Sequence, residues 1–275
     1  MKATPAHNVL VHTLLTFNSL VMLVPILFMV LAGFKRNADI ISRPFSLATP
    51  LSLDAFARVF RETEFPRFLL NSVFVTGGSL LLILVLGSMA AYALGRYAFR
   101  GNEIVYLFFL SGLMIPLKLA VIPLFLQLKA LHLVDTPWAL IVIYGATGLP
   151  STVFILTGFI RTLPTELEES ARLDGASEAR IMWSVMLPLV RPALVIAAIY
   201  NAVPIWNDFF FPLIFIQTES RKTLPQGLTM FMGEYSTDWS VLFAGLTLAV
   251  LPVALAYILL SRQFIAGLTA GAVKS

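Results

Sequence analysis

The chain contains no cysteine, only three histidines and little charge, and each scarcity removes a class of function. Without cysteine there is no disulfide, no thiol nucleophile and no thiolate-held metal. His7, His12 and His132 are too scattered for a metal site, so no metal ligand is predicted. Neither Gly-x-x-x-x-Gly-Lys-Ser/Thr nor Gly-x-Gly-x-x-Gly occurs, so nothing is expected to cradle a nucleotide phosphate. If ATP is used, another chain binds it. The net charge of +4 is small and spread along polar segments, which argues against a nucleic-acid surface. No His-rich, Ser-Lys or paired-carboxylate constellation falls within the apolar segments, so no catalytic residue is predicted.

What is present is apolar surface. At 58% hydrophobic and 12% charged over 275 residues, with a mean hydropathy of +0.86, the composition lies outside the range of soluble domains. The expected fold is an all-α polytopic membrane protein, a single transmembrane domain over residues 1–275. Six apolar segments reach the ~20 residues needed to cross a bilayer: 10–34, 68–94, 104–128, 138–160, 192–216 and 241–260. Four of them hold no Asp, Glu, Lys or Arg. The first is expected to be a permanent helix, too long for a signal peptide's apolar region.

The exception to this apolar character is the stretch 161–191, which carries nine charges. Thr165 followed by Glu168 has capping-box spacing behind Pro164, so a short helix is expected to about Leu173, stopping at Gly175. Ser177 should cap a second short helix ended by Pro188. Glu166, Glu168 and Glu169 suit the first turns, where the helix dipole favours negative charge. A helix-Gly-helix elbow of this kind can be pushed as a unit.

Within the spans, Lys118 and Asp208 are the acid and base residues. Intramembrane charges cost on the order of 2.5 to 3.5 kcal/mol on insertion scales and usually face a cavity or a partner. Counting ~1.5 Å per residue along straight helices places the two at similar depth in the outer half of the membrane. Three readings follow for Lys118: an ion pair with Asp208, snorkelling to the surface, or contact with an anionic solute. Asn201, Trp206 and Asn207 add amides and an aromatic face of the kind a carbohydrate asks for, and Pro204 and Pro212 can loosen the helix around them. The competing reading makes Trp206 to Phe209 a packing and helix-bending motif.

The elbow resembles the EAA loop of ABC-transporter permease subunits. That pattern runs Glu-Ala-Ala, three residues, Gly, nine residues, Ile-x-Leu-Pro, and is matched by Glu169-Ser170-Ala171, Gly175 and Val185-Met186-Leu187-Pro188. Ser170 and Val185 depart from it by small or isosteric replacements. Further markers resemble the carbohydrate-uptake, maltose-type branch of these permeases: Phe34-Lys35, Asn71-Ser72, Tyr92 to Arg96, Met114-Ile115-Pro116, Trp206 to Phe209 with Pro212, Thr223 to Leu228, and the tail from Gly267 to Lys274.

The resemblance implies a permease subunit of a binding-protein-dependent sugar importer in a bacterial or archaeal cytoplasmic membrane. Its implied partners are two ATPase subunits that bind ATP and Mg, a second homologous permease and an extracytoplasmic solute-binding protein. Glu166, Glu168, Glu169, Ser170, Ala171, Asp174, Gly175, Leu187 and Pro188 become the expected ATPase-coupling residues; the tail is expected to lie against the ATPases. Loop charge does not orient the chain, since nine Lys and Arg fall on each side. An EAA loop meets its ATPase in the cytoplasm, which puts both termini inside. The alternative is an ion-coupled secondary transporter using Lys118 or Asp208, which the six segments without internal repeats fit poorly.

Overall fold

The computed structural model describes residues 5–46, 51–232 and 237–272, with side chains for 7–46, 51–232 and 237–259. Lys2 and Lys274 of the charge balance lie outside the described residues. Among these the chain is built of helices, with one isolated bridge between Met232 and Thr237. Four helical stretches are long and apolar enough to cross a membrane, His7–Ala32, Phe65–Arg96, Pro137–Ile160 and Trp239–Leu259; two bent helix pairs raise the number to six if each is one span. The chain divides into two compact units.

One unit comprises Met1–Pro66 and Gly227–Pro252. It holds α1 (Pro5–Ala32), α2 (Asn37–Ser42) and α3 (Asp54–Arg61). In α3, Ala55 and Val59 at i, i+4 are buried, while Asp54 in the first turn and Arg58 and Arg61 in the last suit the helix dipole. Arg58 also reaches Asp238 at 2.7 Å, and Asp238 caps the following helix by accepting from the amides of Ser240 and Val241. Lys35, only 5% exposed, donates to the carbonyls of Arg43 and Pro44, which folds the chain back just after α1.

The other unit, Arg67–Gln226 with Val253–Ser275, contains most of α4 (Phe65–Arg96), then α5 (Asn102–Ser111), α6 (Val121–Ala130) and α7 (Pro137–Ile160). α8 (Glu166–Leu173), α9 (Glu178–Arg180) and α10 (Leu187–Leu189) form the elbow, and α11 (Arg191–Asn207), α12 (Phe210–Phe215) and α13 (Leu224–Leu228, its end in the first unit) follow. The last helix, α14 (Trp239–Ala272), runs well past the expected end at residue 260, so the backbone of the tail through Ala272 is helical. The expected α4 marker Asn71-Ser72 anchors the loop before α13: the Asn71 amide donates to the carbonyls of Ser220 and Lys222, and the amide of Leu224 donates to Ser72 at 2.7 Å. Ile83, Leu140, Ile143, Tyr144, Phe211 and Phe215 build one core cluster; Tyr92, Leu156, Ile160, Ile181 and Met186 contribute to a second beneath the elbow.

Three expectations about continuity are corrected. The third segment, 104–128, is not a straight helix: α5 passes through a 3-10 turn to Met114, the chain breaks at Ile115 and Pro116, and the pair bends by 80°. Proline lacks an N–H and forces the residue before it out of the helical region, and Ile115 is extended accordingly (φ −82°, ψ 115°). Depths counted along a straight helix therefore fail for Lys118, which lies beyond the break. The fifth segment, 192–216, is likewise two helices, parted where Asp208 turns extended. The second elbow helix does not end at Pro188: a π-helix over Ile181–Met186 carries it to Leu189, where proline sits harmlessly in the first turn of α10, and the 79° bend into α11 falls at Val190.

Candidate functional site

The elbow is built as a clasp on the ends of α4 and α7. Gly175 has φ +79°, a backbone position that side chains rarely adopt, and its turn stops α8 as expected. Ser177 caps α9 by accepting from the amide of Arg180. Thr165 does not cap α8: its backbone is helical and its hydroxyl makes no capping bond. Glu168, the other half of that expected box, is drawn elsewhere. It is buried against Arg96 at 2.6 Å, both side chains 5% exposed, and Arg172 approaches it at 3.5 Å. Arg96 spends its remaining donors on the carbonyls of Leu163 and Pro164. Beside it, Glu178 accepts from Arg172 at 2.7 Å, from Tyr97 at 2.6 Å and from Tyr92 at 3.3 Å.

Polar interactions of Arg96, Tyr92, Tyr97 and Arg172 thus hold the elbow to the C-terminal end of α4, to the turn after α7, and to itself. Leu187 is buried and Ala171 half-buried on the inner side; Glu166, Glu169, Ser170, Asp174, Gly175 and Pro188 lie outward, with Leu173, 88% exposed, and Trp183 beside them. Sequence reasoning missed Arg96, Tyr92 and Tyr97 as parts of this unit. They sit more than sixty residues away in the chain, and only the motif Tyr92 to Arg96 marked the place.

The Arg172 guanidinium, with the Tyr97 hydroxyl, holds the Glu178 carboxyl down at about 2 against an ordinary 4.5. The same carboxylate pushes Tyr97 up and Arg172 further up. Since the folded value of Glu178 is depressed, its contribution is full above the ordinary pKa and lost as pH falls from about 4.5 to about 2. Amide protection factors over 166–180 should fall through that window in the wild type. Glu178→Gln should already show the reduced protection at pH 6, and equal protection of the two proteins there would remove this clasp.

The second region is a cavity of about 560 Å³ in the membrane part of the same unit. Both helix breaks open on it, with Ile115 and Lys118 from one, Asn207 and Asp208 from the other, and Tyr144 and Tyr200 from α7 and α11. Non-helical backbone at membrane depth is tolerated where it lines a cavity, so this is where breaks belong. The Asp208 carboxylate makes the second break possible. It accepts from the amides of Phe210 and Phe211, capping α12, and from the hydroxyl of Tyr144 at 2.8 Å.

The other sequence-predicted residues divide. Asn201 lines the cavity but is 7% exposed and committed, donating to Thr152 and the Ala197 carbonyl and accepting from Ser151. It ties α11 to α7. Trp206 is 8% exposed and is not among the residues lining the cavity. Asn207 lines it and donates to the carbonyl of Val203, leaving its oxygen open. Lys118 lines it too, forms no ion pair with Asp208, and holds its ammonium 5.3 Å from the ring centre of Phe210. No group of metal-binding residues occurs among the described residues.

Comparison with known proteins gives consistent relatives. The family model described as "Binding-protein-dependent transport system inner membrane component" matches residues 83–269. The diacetylchitobiose uptake system permease protein NgcG of Streptomyces coelicolor is 36% identical, over 94% of this chain and 87% of that protein. The arabinooligosaccharides transport system permease protein AraQ of Halalkalibacterium halodurans is 34% identical over 99% of each. Among solved structures, a chain of a bacterial ABC transporter involved in the import of the acidic polysaccharide alginate shares the fold with a TM-score of 0.84, at 22% identity over 96% of this chain and 98% of that one.

Proposed function

The chain belongs to the family of binding-protein-dependent transport system inner membrane components, and from that premise we propose that it forms one half of a carbohydrate path across the cytoplasmic membrane. It is a multi-pass permease subunit of an ABC importer and is not itself an enzyme. In the proposed assembly a second homologous permease supplies the other half, an extracytoplasmic binding protein delivers the sugar, and two cytoplasmic ATPases bind ATP and Mg. Both termini are cytoplasmic.

The observation that carries this reading is the connection between elbow and cavity through one helix. α11 begins at the bend after Leu189 and ends at Asn207 beside Asp208 on the cavity wall. Its 17 residues span about 25 Å. Displacement of the elbow by an ATPase is transmitted along α11 to the break that shapes the cavity. The ATPase shifts the equilibrium between inward-open and outward-open states only by its differential contact with the two. The outward residues Glu166, Glu169, Leu173 and Trp183 are the surface that makes that contact.

The absence of native cysteine gives a clean background for testing the orientation. Cysteine replacing Ser177 should be labelled by an impermeant thiol reagent only from the cytoplasm, and cysteine replacing Ser220 or Thr237 only from outside. The opposite pattern would put the elbow on the wrong face for an ATPase and end this reading.

A further inference from the structure

We propose that Lys118 is the cavity's contact for an oxyanion on the transported solute, so that the cargo is an acidic carbohydrate bearing a carboxylate, sulfonate or phosphate. The inference rests on the cavity being the solute path. A lysine in a membrane span needs a compensating partner, and the structure withholds the obvious one. Asp208 shares the cavity with it, yet its oxygens are engaged by the amides of Phe210 and Phe211 and by Tyr144, and no ion pair joins the two. Among the described residues Lys118 makes neither an ion pair nor a hydrogen bond; the face of Phe210 is what supports its charge. That ring stands at the start of α12, where Asp208 fixes the backbone, so the ammonium rests on a held platform at the cavity wall.

The rest of the lining agrees with a polar, acceptor-rich guest. Asn201 is committed to the helix contact, and the Thr147 hydroxyl donates back to its own helix. The groups left open are the Tyr200 hydroxyl and the Asn207 oxygen, suited to sugar hydroxyls, and the Lys118 ammonium with three donors and no acceptor. The charged group left open to a solute is therefore the ammonium, since the Asp208 carboxylate is already met by two amides and a hydroxyl. Lys118 is exposed on the cavity lining, and an oxyanion can meet its ammonium with a charge-assisted hydrogen bond that a neutral sugar cannot offer.

The test uses the complete importer in proteoliposomes, its partner chains freed of cysteine, with Lys118→Cys as the one thiol. Probes are digalacturonate, glucose 6-phosphate and the neutral galactobiose, with binding protein present. Lys118→Cys should lose at least tenfold of the acidic uptake that the wild type shows. 2-Aminoethyl methanethiosulfonate, which restores a positive charge, should recover most of it, and the sulfonatoethyl reagent should not. Lys118→Arg should keep at least half. Uptake of galactobiose alone overturns the inference and leaves the carbohydrate path standing, as does equal loss in Lys118→Arg and Lys118→Gln. Wild-type uptake of none of these sugars fails the carbohydrate reading itself and takes the inference with it.

Discussion

Arg96→Ala should uncouple the importer: ATP hydrolysis should no longer rise when loaded binding protein is added, although the chain still inserts. The expectation comes from what Arg96 holds. Its guanidinium meets Glu168 with both side chains nearly excluded from water, and it also donates to the carbonyls of Leu163 and Pro164. Removing one partner of a buried pair costs about 3–5 kcal/mol, because the other is left charged and unanswered. Here Arg172 at 3.5 Å gives Glu168 partial relief, so the lower end of that range applies. Glu168→Gln should cost less, since Arg96 keeps two carbonyl acceptors. Arg96→Lys should not rescue, because a single ammonium lacks the planar fork that reaches three acceptors at once. Nor should the exchanged pair Arg96→Glu with Glu168→Arg, which places an acceptor against two carbonyls. Wild-type stimulation in Arg96→Ala would mean that the elbow moves independently of α4.

That result also separates two kinds of coupling residue. Glu168 was expected to meet the ATPase alongside Glu166 and Glu169, yet it is 4% exposed and bound to its own chain. It positions the elbow, while Glu166 and Glu169 stay exposed on it, where the proposed ATPase contact needs them. The difference was not legible from the sequence, where three glutamates in one turn are equivalent with respect to the helix dipole. Only the long-range partner distinguishes them. Legible in advance were the features set locally: the stop at Gly175, the cap at Ser177 and the apolar spans. The capping box at Thr165 failed because its Glu was claimed by Arg96, a tertiary contact stronger than the local one. The straight third helix failed because Pro116 was weighed as a family marker while its effect on Ile115 was not. Tyr144 and Tyr200 carried no signal at all, since aromatic residues in apolar segments are ordinary core.

Asp208→Ala should abolish most transport, at least tenfold in rate, through the shape of the cavity. The carboxylate caps α12 and accepts from Tyr144, which is 4% exposed. Losing a cap costs about 0.5–2 kcal/mol, and leaving a buried hydroxyl without an acceptor about 1–3 kcal/mol more. With those bonds gone, Asp208 loses the contacts that fix its extended backbone ahead of α12, and Phe210 under Lys118 loses its anchor. Asp208→Asn keeps an acceptor oxygen for the amides and should retain a third or more of the rate. Lys118 and Asp208 form no ion pair and are linked only through Phe210, so combining Lys118→Ala with Asp208→Ala should leave the complex no more thermally stable than either single variant. A double variant more stable than either single one would establish a pair that the geometry denies. Unimpaired transport in Asp208→Ala would show that the break at residue 208 is not part of the path, and the carboxylate would then be a fold determinant alone.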